Sequence, residues 1–137
     1  MDARKAFLIE LHEIMKESSD IRNILVNPSE DHYMWDEFKL SKEEEHALKK
    51  QHFDDVALSA IEKIVRNKLM YSFFRALAII DGVGSPTIMK LDKTWLGLTL
   101  RERVLDEEED NEEFLYYALY GTYWDWLELK NKDEKSL

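Results

Sequence analysis

An all-α fold, a single-domain bundle of about five helices over residues 1–137, is predicted by three features of the sequence. Prolines and glycines number only two and four, too few for the many tight turns of a β-sandwich. Apolar residues recur at helical spacing, most clearly between Val56 and Ile80. Helix-start signatures stand ahead of such stretches, the clearest being Ser41-Lys42-Glu43-Glu44.

In the first helix Asp2 is the expected cap, and Phe7, Leu8, Leu11, Ile14 and Met15 repeat on one side with charged residues opposite. Ser18-Ser19-Asp20 offers a break and a new cap, and Ile21, Ile24 and Leu25 continue for a turn or two. Asn27-Pro28 stops that segment, because the residue before proline avoids helical angles. Residues 29–40 mix bulky side chains with acids and are expected to form a loop with one helical turn, its aromatics pinned on the main body. In the capping box at Ser41, the hydroxyl accepts from the Glu44 amide while the glutamate reaches back to the serine amide. The helix that follows is expected to run to about Phe53, and Asp54-Asp55 restarts it. Ala57, Ile61, Ile64, Val65, Leu69, Phe73, Leu77 and Ile80 then hold one face, and Met70, Phe74 and Ile79 widen it, so this should be the most buried helix.

Asp81-Gly82 supplies the stop, since glycine enters the left-handed region without a Cβ penalty. Ser85-Pro86 reads as an N-cap followed by a first helical position. Residues 88–100 alternate partly like a strand, which leaves a short hairpin open, while Thr99-Leu100-Arg101-Glu102 favours a helix from 99 to about 107. Asp110 is the expected cap of the final helix. One side of that helix carries Phe114, Leu115, Ala118, Leu119, Thr122, Trp126 and Leu129, and another carries Tyr117, Tyr120, Tyr123, Trp124 and Leu127. The polar tail 130–137 is expected to fray.

A chain of 137 residues with 45% hydrophobic residues can bury a core without a staple. Cysteine is absent, which excludes disulfides and Cys-ligated zinc and fits a reducing compartment. No apolar run approaches the roughly 18–20 residues of a membrane span. The first residues lack an uninterrupted apolar region because Glu10, His12 and Glu13 intervene, so a cytoplasmic location without membrane attachment is expected.

Net charge is −10, and the segment 106–113 alone holds seven acids in eight positions. The remaining surface is nearly balanced, which disfavours nucleic-acid binding, because that needs clustered Lys and Arg to displace counterions from phosphate. A basic partner suits the charge. The plainer alternative is that these acids solvate a helix start and favour solubility.

The residues carry no catalytic signature. His12, His32, His46 and His52 show none of the helical metal spacings, and Glu43, Glu44, Glu45, Asp54 and Asp55 are what a solvated helix normally displays, so no metal is expected. The acidic segment lacks the alternating oxygens and central glycine of a calcium loop. There is no nucleophile elbow and no phosphate loop, and no cofactor is expected. Asp81, beside Gly82 and Gly84, is the best exposed carboxylate in a special turn, against the plain reading of a helix stop. Gly121 in the last helix costs about 1 kcal/mol against alanine, which makes sense if another backbone or ring comes close to it.

The segments FFRALAIIDGVGSP (73–86) and EEFLYYALYGTYWDWLE (112–128) resemble small uncharacterised bacterial proteins. Those have an aromatic-rich helix ending in Asp-Gly, a Trp-Leu-Gly segment and a final Tyr/Trp-rich helix. In style they are similar to immunity proteins that neutralise the toxins of neighbouring cells. The resemblance implies a binding protein and brings no catalytic residue with it.

The leading expectation is a non-enzymatic interaction module, an immunity-like inhibitor that binds a protein with a basic surface. Glu107, Glu108, Glu109 and Asp110 would steer the partner, and Tyr120, Tyr123 and Trp124 would supply contact energy. A homodimer is left open. The alternative is a small-ligand binder or enzyme with a pocket between the Asp81 loop and the last helix, using Asp81, Tyr120 and Trp124. An acidic mimic of DNA ranks third, because the excess charge sits in one short tract rather than along a face.

Overall fold

The computed structural model describes residues 3–88, 93–101 and 114–134. It is all-α, with no strand among the described residues. Four helices have eight residues or more: α1 (Ala3–Ser18), α3 (Lys42–Lys49), α4 (Asp55–Ile80) and α5 (Leu115–Glu134); α2 (Arg22–Val26) has five. Single 3-10 turns at Glu30–His32 and Asp36–Phe38 lie between α2 and α3. The chain divides into two compact units, Met1–Ile79 and Ile80–Leu137, described separately below.

In the first unit, Leu11, Met15 and Ser19 are buried, a spacing of four that lays one row of α1 and its exit against the unit. Leu58 of α4 is buried too, and each such apolar side chain contributes about 1.5–3 kcal/mol. The Ser19 hydroxyl donates to the Lys16 carbonyl and ends α1 without capping α2, whose N-cap position is Ile21 and has no side-chain bond. The chain turns out of α2 into Pro28, which is fully buried. α2 packs against α3. Arg22 ties α2 to α4 through Asp55 (3.0 Å) and Glu62 (3.2 Å).

The capping box forms as expected: Glu44 N donates to Ser41 Oγ (3.2 Å) and Ser41 N to Glu44 Oε2 (2.6 Å). Asp54 likewise caps α4, its carboxylate accepting from Ala57 N at 2.7 Å. α3 nevertheless ends at Lys49, short of Phe53, because the chain must leave helical geometry before Asp54 can cap the next helix. The loop aromatics are only partly drawn in: Tyr33 is half-buried, whereas Met34, Trp35 and Phe38 are exposed, with Trp35 meeting Phe38 edge-to-face at 6.4 Å. On α4, Ala57, Ile61, Val65, Leu69, Phe73, Leu77 and Ile80 are all half-buried, so the expected stripe is real. The helix is not deeply enclosed, however: Leu58 is its one fully buried residue, and Ile64, Met70, Tyr71 and Phe74 are exposed.

The second unit begins where α4 stops. Gly82 takes φ 74° and Gly97 φ 92°, and Leu98 N donates to the Ile80 carbonyl at 2.7 Å. The two glycines sit backbone to backbone. A Cβ on Gly82 would meet the Leu96 carbonyl oxygen at 2.5 Å, and one on Gly97 would collide with the Ile80 carbonyl oxygen. The expected helix start at Ser85-Pro86 does not occur, since residues 83–88 are bends and irregular backbone. Residues 94–101 are irregular, so the helix expected from 99 does not begin there, and no hairpin forms among the described residues. Asp2 and Asp110, the other expected caps, lie outside the described residues. α5 continues to Glu134, through part of the tail expected to fray.

Two outcomes follow from these local locks. Gly82→Ala and Gly97→Ala should each lower stability by about 1–3 kcal/mol, because alanine is strained at positive φ and its methyl meets backbone; urea titration measures this, and a neutral result at both would contradict the lock. The capping box gives a pH signature. The Ser41 backbone N–H, and then its hydroxyl, hold the Glu44 carboxyl below its usual range. A lowered folded pKa contributes stability that is present above the ordinary value of about 4.3 and lost as pH falls through the folded value. Thermal melts of Glu44→Gln against pH should therefore show a shallower acid limb than the parent, and parallel curves would refute the coupling.

Candidate functional site

α5 is apolar around more than one face, and a helix can press only one stripe against its own unit. Ala118, Tyr123, Leu127 and Leu129 are half-buried. Leu115, Tyr116, Leu119, Tyr120, Trp124 and Trp126 are exposed, Leu119 at 76% and Trp124 at 49%, so much of the apolar surface of the helix faces water. Three rings form a cluster: Tyr123 meets Trp124 edge-on at 5.0 Å and Trp126 at 5.9 Å. The half-buried tyrosine thus fixes two tryptophans that each keep a face open. Phe114 stacks on Tyr116 at 6.0 Å at the start of the helix.

Thr122 turns its hydroxyl back to the Leu119 carbonyl at 3.1 Å, so it offers no free donor. Gly121 departs from expectation. Beyond its chain neighbours and the backbone of α5, no described atom lies within 4 Å of where its Cβ would stand, so among the described residues no other backbone or ring comes close to it. The missing side chain instead leaves a gap between exposed Tyr120 and Trp124. Such a surface, rings with polar tips around a gap, is suited to contact rather than to bond-making chemistry.

Of the residues singled out from the sequence, Tyr120, Tyr123 and Trp124 come together on α5. Glu107, Glu108, Glu109 and Asp110 lie outside the described residues. Asp81 is exposed in the turn after α4. Two cavities, about 430 and 320 Å³, lie along α1 and α4 in the first unit, and neither is lined by Asp81, Tyr120 or Trp124. Sequence reasoning missed the polar lining of the larger one, which includes Lys16, Ser59, Lys63 and Arg66. Its signal was present on α4 as Ser59, Lys63 and Arg66, spaced i, i+4 and i+7 on one side of the helix.

Among the described residues no group of three or more His, Asp or Glu is placed to hold a metal ion. His32 Nε2 lies 3.3 Å from the Asn27 carbonyl. No described helix is long and apolar enough to cross a membrane. No protein-family model matches the chain, and neither a curated protein nor a solved structure matches it.

Proposed function

We propose that this is a non-enzymatic, cytoplasmic interaction protein that binds a basic protein partner through α5, in the manner of an immunity-type inhibitor. The observation that carries this reading is the exposure of Tyr120, Trp124 and Trp126 on a helix whose half-buried Tyr123 holds the two tryptophans in place. Rigid Tyr and Trp side chains lose little freedom on binding and dominate contact energy in protein interfaces. The occupant is identified by charge: the segment ahead of α5, 106–113, holds seven acids in eight positions. Such a field accelerates encounter with a basic surface and repels acidic competitors. The rings supply the energy of the bound state, and the acids govern how fast it is reached.

The tests separate these roles. Pull-down from the native source identifies the partner, and surface plasmon resonance then measures rates. Replacing Glu107, Glu108 and Glu109 with Gln should slow association at low salt by about tenfold while leaving dissociation nearly unchanged; an unchanged on-rate removes steering. Tyr120→Ala with Trp124→Ala should speed dissociation and leave the melting temperature close to the parent's, whereas unaltered binding would place the interface elsewhere. Gly121→Ala should stabilise the free protein by up to about 1 kcal/mol, since helix propensity rises and the methyl meets nothing. If the gap receives a partner group, the same change weakens binding. A variant that is more stable and binds equally well would show the gap to be unused.

A further inference from the structure

The larger cavity of the first unit has a local charge opposite to that of the chain. Among its lining residues are four cations, Lys16, Arg22, Lys63 and Arg66, against two acids, Asp20 and Glu62. Arg22 is satisfied by Asp55 and Glu62, and Lys16 gives one of its three donors to Glu13 at 2.6 Å. Lys63 and Arg66 have no ion-pair partner among the described residues. The Ser59 hydroxyl also makes no hydrogen bond there. Ser59, Lys63 and Arg66 follow one another at about 6 Å and then about 4.5 Å along the axis of α4. Lys16 stands opposite on α1. The Glu13 carboxylate, with a smaller contribution from Glu17, holds the Lys16 ammonium above its usual range, and Arg66 across the cleft opposes this only weakly.

Groups that would ordinarily repel an anion here are muted. The last carbonyls of α1 are taken up by Ser19 and Asp20, through Met15, Lys16 and Glu17. Glu62 is engaged by Arg22, which leaves Asp20 as the unpaired acid of the lining. A second cavity continues from the first, since Lys16 and Arg66 line both; it adds Ile9, Met15 and Met70, with His12 and the Lys16-paired Glu13 beside them. The seam between α1 and α4 is therefore cationic at one end and mixed at the other, where Ile9, Met15 and Met70 supply the apolar surface.

We infer that this cleft binds a small phosphate monoester, its phosphate among Lys63, Arg66, Lys16 and the Ser59 hydroxyl and its apolar body against Ile9, Met15 and Met70. A phosphate carries about −1.5 to −2 charge at neutral pH and three acceptor oxygens, which suits two unpaired cations, a third already half-engaged, and a hydroxyl. A single carboxylate would leave part of that set unanswered. A volume of about 430 Å³ lies within the size range of small-molecule sites and exceeds what an inorganic ion fills.

Phenyl phosphate and inorganic phosphate are the probes, titrated into the full chain at low salt and followed by amide chemical shifts and calorimetry. Shifts should concentrate at Ser59, Lys63, Arg66 and Met70, with phenyl phosphate bound about tenfold or more tightly than inorganic phosphate. Lys63→Gln with Arg66→Gln should weaken both probes about tenfold or more without lowering the melting temperature of the free protein, because both side chains are exposed and neither makes an ion pair among the described residues. Met70→Gln should weaken phenyl phosphate alone. Shifts elsewhere in the chain, equal binding of chloride, or affinity indifferent to the paired substitution would each overturn the assignment. Because α5 has no part in it, failure here leaves the partner-binding reading standing, and Tyr120→Ala with Trp124→Ala should not change phosphate binding.

Discussion

The division of labour around α4 is the constraint on which the first unit depends. A helix advances about 100° per residue, so neighbours in sequence serve different sides. The row from Ala57 through Val65 to Leu77 packs at half burial, and Leu58 is driven fully inside. Ser59, Lys63 and Arg66 fall on the side beyond Leu58, toward the exit of α1. Met15 of α1 and Leu58 of α4 are both buried, and residues of the two helices line one cleft. The same placement puts unpaired cations across from Lys16. Packing thus leaves the charges of Lys63 and Arg66 unanswered by a carboxylate among the described residues, and an anion would answer them. Arg22 is a useful contrast, because there α4 supplies two carboxylates, Asp55 and Glu62, and the charge is answered within the fold.

Sequence legibility follows range. The Ser41 box and the Asp54 cap involve atoms three residues apart, so the pattern and the bond are nearly the same statement. The stop at Gly82 was readable for a similar reason. Its partner Gly97 was not, because the requirement for glycine there comes from a backbone approach across fifteen residues rather than from any neighbouring signal. Ser85-Pro86 carries a valid start signature, yet residues 85–88 do not enter a helix. There the position is governed by the return of the chain to Ile80. The fold class was readable because it sums many such local preferences, whereas the degree of burial was not. An apolar stripe says which side of α4 faces inward without saying how much material is available to cover it.

The candidate surface on α5 illustrates the same limit from the other side. Periodicity showed two apolar rows and therefore a surplus over what one contact face can absorb. Which rings stay wet depends on tertiary covering, and the division found, with Tyr123 half-buried and Trp124 and Trp126 open, has no sequence rule behind it. Gly121 is expected to let another backbone or a ring come close, and among the described residues none does. A glycine that weakens a helix while touching nothing is a local inconsistency, and such inconsistencies are retained most readily where function needs the space. Exposed rings beside it strengthen the case for an external occupant over an internal one.

Net charge conceals how differently the two surfaces act. A chain of −10 would be expected to repel anions, but at physiological ionic strength fields fade over about 8 Å, so a ligand in a cleft responds mainly to the groups lining it. There the cations outnumber the acids. A diffusing protein partner samples a wider field in solvent, where the seven acids of 106–113 weigh most and added salt weakens them readily. The two kinds of recognition therefore differ in where their energy resides. Steering depends on the sum of charges seen from outside and belongs to the rate of encounter. The cleft depends on direct bonds from a guanidinium, ammonium groups and a hydroxyl, and belongs to the stability of the bound state. One sequence can carry both because patterning, rather than total charge, determines what each approaching molecule meets.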